Sequence, residues 1–332
     1  MQNSENSTML KIKDLTVEYR TDVKTVYALN GINLEIKKGT TLGLVGETGA
    51  GKTTIAKSIM RLLPERTAHI LNGEILLDGE DLLQKSKKEL SQIRGKKVSM
   101  IFQDPMSSLN PIMSIGDQIK EALQYHNHEG LDAKQLDRKV DEILKLVNIP
   151  AERKHEYPNQ FSGGMKQRAV IAIALSCEPE LLIADEPTTA LDVTIQAQVL
   201  MLMRELIDSR NTSMLMITHD LGIVAMIYDY VAVIYGGEVI EYGTAQDIYT
   251  GEKHHPYTKG LFGSIPNINE KTRRLHPIEG VMLDPTHKSE GCSFAGRCPY
   301  AREICFKCKP AAFAEGEHRI ACHLYAEKEE KE

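Results

Sequence analysis

The stretch Gly46-Glu47-Thr48-Gly49-Ala50-Gly51-Lys52-Thr53 has the residue types and spacing of a loop built to hold phosphate. The apolar run before it, Thr41–Val45, reads as a buried strand, and a helical pattern follows it. In that setting the glycines let backbone amides wrap around phosphate oxygens without Cβ clashes. The new helix presents its positive end to the anion. Lys52 is placed to reach β- and γ-phosphates, and the Thr53 hydroxyl to ligate Mg²⁺, with Thr54 completing the loop. A glycine-rich turn without chemistry would not require Lys-Thr at that point, so the motif points to a bound nucleotide.

Two further concentrations of reactive side chains stand out. In ELLIADEPTTALD, apolar Leu181–Ala184 ends in Asp185-Glu186. With a phosphate-binding loop upstream, Asp185 suits the Mg²⁺ hydration shell. Glu186 suits orienting or deprotonating an attacking water. The other concentration is GCSFAGRCPYAREICFKC, which holds four of the six cysteines between Cys292 and Cys308.

These groups need a scaffold, and 332 residues with 42% hydrophobic and 26% charged content are enough for two domains with a proper core. A net charge of −6 and the lack of a long basic block argue against a nucleic-acid partner. The polar start MQNSENSTML has neither n-region nor h-region, so no secretory signal is expected. The longest apolar run, Ala169–Cys177, falls far short of the ~20 residues of a membrane span. The expected compartment is cytosolic and reducing, where clustered cysteines are more often metal ligands or redox groups than disulfides. The charged end EKEEKE reads as a solvated terminus.

Between the phosphate loop and Asp185 lies YPNQFSGGMKQRAVIAIAL, and here the chain resembles the ATPase subunits of ABC transporters. Phe161-Ser162-Gly163-Gly164-Met165 is similar to the signature LSGGQ, with Met165 in place of glutamine as in the peptide-permease branch. Physically, a serine and two glycines ahead of a helix (Met165–Ser176) form a second anion-binding helix start. Gln103, in VSMIFQDP, resembles the Q-loop glutamine, which meets the Mg²⁺ and water region and whose loop contacts the transmembrane subunit. His219, in SMLMITHDLG, resembles the switch histidine that touches the γ-phosphate. Asp192, in ALD, resembles the D-loop aspartate of the dimer interface. Tyr19 holds the position of the adenine-stacking aromatic, a contact of about 1–3 kcal/mol where bases stack on proteins, and Tyr27 is the runner-up.

The resemblance implies an α/β fold: a P-loop NTPase core of the ABC ATPase type, with a parallel sheet flanked by helices. It further implies an antiparallel β subdomain from LKIKDLTVEYR, VYALNGINLEI and GEILLDG, and a helical signature subdomain over about 104–170. The nucleotide-binding domain is expected over 1–250 and a small Cys-rich C-terminal extension over 251–332. The implied activity is hydrolysis of ATP with Mg²⁺ by two chains meeting head to tail, each signature closing the other's nucleotide. The second chain is an identical or similar ATPase. The implied partners are transmembrane permease subunits, to which this chain would dock on the cytoplasmic face of the membrane, with an external binding protein acting through them.

GEKHHPYTKGLFGSIP resembles the segment that marks oligopeptide, dipeptide and nickel importer ATPases. Import of di- or oligopeptides is therefore expected, with a nickel importer as the same-family alternative. A soluble ABC protein of repair or translation is the different-class alternative. It is opposed by the lack of a coiled-coil insertion and by the presence of one cassette rather than two. Pro256 is expected to open a short helix packing Leu261 and Phe262, and His254-His255 to be structural.

The tail resembles the extension of the same branch at Cys292, Cys298, Cys305 and Cys322, spaced C-x5-C-x6-C-x16-C. Some members hold a [4Fe–4S] cluster on those positions, so the resemblance implies iron–sulfur ligation. Structural zinc on Cys305 and Cys308 with His318 or His323 is an alternative, as is a set of free thiols or a disulfide. A tail so short of apolar residues gains stability from a metal staple. Cys177 is expected to be a small buried hydrophobe.

Overall fold

The structure, a computed structural model, describes residues 8–127, 130–189, 191–219, 222, 227–264 and 278–326. The residues before Thr8, the end EKEEKE and the close of the GEKHHPYTKGLFGSIP stretch (265–266) lie outside them. The chain divides into two compact units, one of 36–41 and 84–217 with the residues up to Met9, the other of 10–35, 42–83 and 218–332.

In the second unit, β1 (Thr8–Arg20), β2 (Thr25–Lys37), β4 (Ala68–Leu77) and β5 (Glu80–Asp81) form a sheet in the order β2-β1-β4-β5. β1 runs antiparallel to β4, with Leu10 opposite Leu77 and Tyr19 opposite Ala68. β3 (Thr41–Val45) lies parallel to β9 (Tyr230–Tyr235), which turns back antiparallel into β10 (Glu238–Thr244). A late hairpin, β11 (Ala312–Glu315) and β12 (His318–Ala321), then adds to β10, with Glu241 opposite Ile320. Helix α1 (Lys52–Ile59) follows β3.

In the first unit, β6 (Val98–Ile101), β7 (Leu181–Asp185) and β8 (Ser213–Thr218) are parallel, with Val98 opposite Leu181 and Leu181 opposite Ser213. Every residue of β3, β6 and β7 is buried. Strands covered on both faces read as near-continuous apolar runs, which is how these appear in the sequence.

The unit's helices are α2 (Lys87–Ile93), α3 (Pro105–Ser108), α4 (Ile115–Tyr125), α5 (Ala133–Leu146), α6 (Gly163–Leu175) and α7 (Val193–Arg210). α5 shows why the local sequence is helical. Asp132 and Gln135 form a capping box, and Leu136, Val140, Ile143 and Leu144 recur on one buried stripe.

Back in the second unit come α8 (Ala245–Thr250) and α9 (Pro256–Gly263), then short α10 (Glu303–Lys307) and α11 (His323–Ala326). α9 does open at Pro256. Its buried residues, however, are Pro256, Tyr257 and Thr258, while Leu261 and Phe262 are only half-buried.

Candidate functional site

β3 delivers the chain into the loop that begins at Gly46 and into α1. Glycine is required at two points. A Cβ on Gly46 would sit 2.3 Å from the Ile234 carbonyl oxygen, and at Gly51, held at φ +106°, one would sit 2.7 Å from that of Ala28. No side chain caps α1, so its positive end is available to an anion. Lys52 is only 5% exposed, and its Nζ donates to the carbonyls of Gly46 (2.7 Å) and Glu47 (3.0 Å). The loop therefore curls around its own lysine, with Thr48 and Gly49 exposed on the outside and Ala50 buried. The Tyr19 hydroxyl lies 3.3 Å from Thr54 Oγ1, whereas Tyr27 donates its amide to Pro285. Of the two candidate aromatics, Tyr19 is the one tied to the start of α1.

In the first unit, β7 ends at Asp185, 2% exposed. The next residue, Glu186, holds φ +48°, a left-handed conformation uncommon outside glycine and worth attention at a reactive position. Its carboxylate accepts from Gln103 Nε2 (3.1 Å) and Thr189 Oγ1 (3.1 Å), and its amide donates to the Ile217 carbonyl (2.9 Å). Two residues singled out separately in the sequence, Gln103 and Glu186, are thus brought into direct contact. Asp192 caps α7, accepting from the Ile195 amide at 3.0 Å. His219 is exposed, one residue beyond β8.

The signature helix α6 starts at Gly163, two residues earlier than expected. Exposed Ser162 is its N-cap, and the Ser162 side chain makes no capping hydrogen bond. A Cβ on Gly164 would meet Ile195 Cγ2 at 2.7 Å. Met165 Sδ accepts from Arg153 Nη1 at 3.0 Å, and the same guanidinium lies 4.8 Å from the Phe161 ring centroid and pairs with Glu156 at 2.6 Å. Arg153 thus ties the two ends of FSGGM, a role for which its sequence position gave no signal.

The C-terminal segment of the second unit is held by three sets of contacts. Phe294 packs edge-on against Tyr235 (5.2 Å) and Tyr257 (5.4 Å). Arg297 pairs with Glu47 of the phosphate loop at 2.7 Å. Buried Glu241 of β10 receives His254 Nδ1 (2.8 Å), His318 Nε2 (3.0 Å) and the His255 amide (2.8 Å).

Burial pushes the Glu241 carboxyl up, but these hydrogen bonds outweigh it and bring it down to about 2. The Glu241 bond raises His254, whose other nitrogen meets the Gly251 carbonyl at 2.8 Å; with both nitrogens facing acceptors, the ring is an imidazolium. Burial lowers its neighbour His255 to about 4, and Nδ1 of that neutral ring accepts from the Tyr257 amide at the start of α9. The two adjacent histidines thus make different structural contacts.

The cysteine expectation is corrected. Cys292, Cys298, Cys305 and Cys322 border one small cavity, but among the described residues no cysteine belongs to a group of three or more donors close enough to share one ion. Among the described residues, the group of Cys, His, Asp or Glu donor atoms lying within 4.8 Å of one another is Glu241, His254 and His318. All six cysteines are unbridged thiols. Burial pushes Cys292 up to about 11 and raises Cys298 and Cys322. The zinc alternative is not assembled either: His318 is spent on Glu241, and His323 Nε2 meets the Cys308 carbonyl at 3.0 Å. The staple that the tail requires is the ion pairs and aromatic packing described above.

Comparison with known proteins gives the family. The ABC transporter family matches residues 29–189, and the oligopeptide/dipeptide transporter C-terminal region matches residues 240–305. The dipeptide transport ATP-binding protein DppD of Bacillus subtilis (strain 168) is 46% identical over 325 residues, covering 97% of this chain and 96% of that protein. The chain belongs to the ABC transporter ATPase family. The oligopeptide transport ATP-binding protein OppD of the same organism is 46% identical over 308 residues, covering 92% and 85% of the two chains. Those names speak of ATP and of no iron–sulfur group. A dimeric ATP-binding cassette solved in a post-hydrolysis state with ADP and phosphate matches at 27% identity and a TM-score of 0.64, over 71% of this chain and 99% of its own. This ABC ATPase accordingly binds and hydrolyses ATP on a P-loop NTPase fold. Beyond the family motifs, the structure adds Arg153, tied to Met165 across a turn, and Tyr257 and Arg297, whose partner Glu47 lies too far along the chain for spacing to reveal.

Proposed function

We propose that this chain is the ATP-hydrolysing subunit that powers import of di- or oligopeptides through a separate membrane permease. The observation that carries the reading is the joining, in one chain, of an ABC cassette to the oligopeptide/dipeptide C-terminal region. No helix among the described residues is long and apolar enough to cross a membrane. In this reading the spanning subunits are separate proteins, and this chain works on the cytoplasmic face as their peripheral partner. A second ATPase subunit pairs with it, and an external binding protein delivers cargo to the permease.

In this reading the cassette occupies 1–250, with its helical signature-bearing part over about 104–170, and the extension occupies 251–332. The Gly46–Thr54 loop and Lys52 bind the ATP phosphates, and Tyr19 stacks on the adenine. Thr53, Gln103 and Asp185 offer hydroxyl, amide and carboxylate oxygens, the hard donors that Mg²⁺ takes, and the ion would neutralise charge on the β- and γ-phosphates. Glu186, held by Gln103 and Thr189, orients the attacking water and takes its proton, while His219 meets the γ-phosphate. Ser162, Gly163, Gly164 and Met165 close the partner's nucleotide, and Asp192 lies at that interface.

Two experiments test this. Glu186→Gln is expected to lower turnover by about 10²–10⁴-fold, the usual share of a general base, and to trap an ATP-bound dimer seen by size exclusion. Wild-type hydrolysis in that variant would remove Glu186 from its role. For cargo, vesicles carrying the chain with its permeases and binding protein should take up labelled dipeptide in an ATP-dependent way. Uptake of Ni²⁺ in place of peptide would overturn the cargo.

A further inference from the structure

Glu47, the second residue of the phosphate loop, is held on two sides by residues from the other end of the chain. Arg297 meets its carboxylate fork on fork, Nη1 to Oε2 at 2.7 Å and Nη2 to Oε1 at 3.2 Å. The guanidinium is fixed in turn: Nε donates to the Glu279 carbonyl (3.0 Å), Nη2 to that of Ile278 (3.2 Å) and Nη1 to the Tyr235 hydroxyl (3.4 Å). Its side chain is 7% exposed, so this is not a surface arginine resting against a loop. The Glu47 amide donates to the Tyr257 hydroxyl at 2.9 Å, and the Tyr257 ring is fully buried against Tyr235 and Phe294. The third polar group of Glu47, its carbonyl, accepts from Lys52 Nζ at 3.0 Å. Every polar group of one loop residue is therefore engaged, two by the C-terminal segment and one by the phosphate-reaching lysine.

We infer that Arg297 and Tyr257 are positioning residues for ATP binding: they clamp Glu47, and through it fix Lys52 and the curl of the loop in the shape that receives phosphate. A loop already held in its binding shape loses little freedom when the ligand arrives, whereas a released loop must be ordered by it, at a cost in affinity. The clamp makes the C-terminal segment part of the nucleotide site without touching nucleotide. The inference rests on this loop being the ATP-binding loop, and the test below separates the two.

The full chain is used throughout, with mant-ATP as the binding probe and steady-state ATP hydrolysis as the second readout. Arg297→Lys keeps the charge but cannot make the two-pronged contact, and Tyr257→Phe keeps the ring but removes the hydroxyl. Arg297→Lys is expected to raise the mant-ATP Kd and the KM for ATP by about 5- to 50-fold, the usual range of coupling between distinct sites. Turnover at saturating ATP should stay within about twofold, because uniform binding, not chemistry, is what is lost. On a Glu47→Gln background, Arg297→Lys should add nothing further, since both changes act through one contact. Lys307→Ala, which breaks an exposed pair with Glu303 in the same segment, should leave both constants unchanged.

Unaltered Kd and KM in Arg297→Lys and Tyr257→Phe would overturn the clamp. So would a full effect of Arg297→Lys on the Glu47→Gln background, which marks general loosening. If Arg297→Lys does not fold, Tyr257→Phe carries the test alone, with a rise of about 5-fold or more expected and no change overturning the inference. Lys52→Ala checks the underlying reading. Loss of mant-ATP binding there with no effect at Arg297 would sink only the clamp, while binding that survives Lys52→Ala would sink the loop assignment and the clamp with it.

Discussion

Two carboxylates hold the C-terminal segment to the rest of the second unit, and they are held by opposite kinds of cation. Glu47, a third exposed, is gripped by Arg297, whose guanidinium keeps its charge at every working pH, all the more beside a carboxylate. Glu241, with no exposed side-chain surface, is gripped by imidazoles, which unlike a guanidinium can give up their proton. The first tie is indifferent to pH and sits on the nucleotide loop. The second is conditional and sits at the edge where β12 joins β10. The segment is thus fixed where ATP binds and adjustable where the sheet is extended.

The sharpest way to break the contrast is Glu241→Ala. It strips the shared acceptor from His254, His318 and the His255 amide, leaving buried polar groups unpaired, and should cost about 3–5 kcal/mol of unfolding free energy, read by urea titration at pH 7. Next comes pH itself. His255 is depressed to about 4 in the folded chain, so its contribution is whole above about 6.5 and is lost as pH falls toward 4, roughly 3 kcal/mol in all. His254 is raised, so its contribution is whole below about 6.5 and is lost as pH climbs through its folded value. Urea midpoints should therefore peak near pH 6.5, His255→Asn flattening the acid limb and His254→Asn the alkaline one. The Glu241 contribution is whole above about 4.5 and is lost as pH falls from there toward its folded value of about 2. Smaller again, Arg297→Lys should cost about 1.5–2 kcal/mol, the share of a charge-assisted hydrogen bond, and by the same amount from pH 5 to 9. A pH-dependent cost would erase the distinction between the two ties. Least of all, Lys307→Ala should leave the urea midpoint where it is, because its ion pair lies in solvent.

What could be read from the sequence divides along the same line. Gly46 to Thr54, Asp185-Glu186 and FSGGM were legible because phosphate chemistry fixes residue types at short spacing, and β3 and β7 because buried strands are unbroken apolar runs. Arg297 was not legible, because its partner is 250 residues away and an arginine in a polar tail looks like any other. Arg153 escaped for a different reason: Met165 is only 12 residues on, but an intervening turn hides the pairing from any helical or strand spacing. The cysteines misled in the opposite direction. Their spacing fits a family pattern, but spacing alone does not bring sulfurs together, and here the cysteines stand as unbridged thiols while histidines take up the stapling.

The hairpin β11–β12 and Arg297 also set a timetable. At about 5–20 residues per second, a ribosome delivers Arg297 roughly 10–50 s after Glu47, given the 250 residues between them. Until then the phosphate loop emerges unclamped, and β10 has a bare edge open to pairing with another chain. These later-translated residues therefore act as a seal, so that a nascent or prematurely released chain would carry the nucleotide motifs while still lacking the contacts that set them.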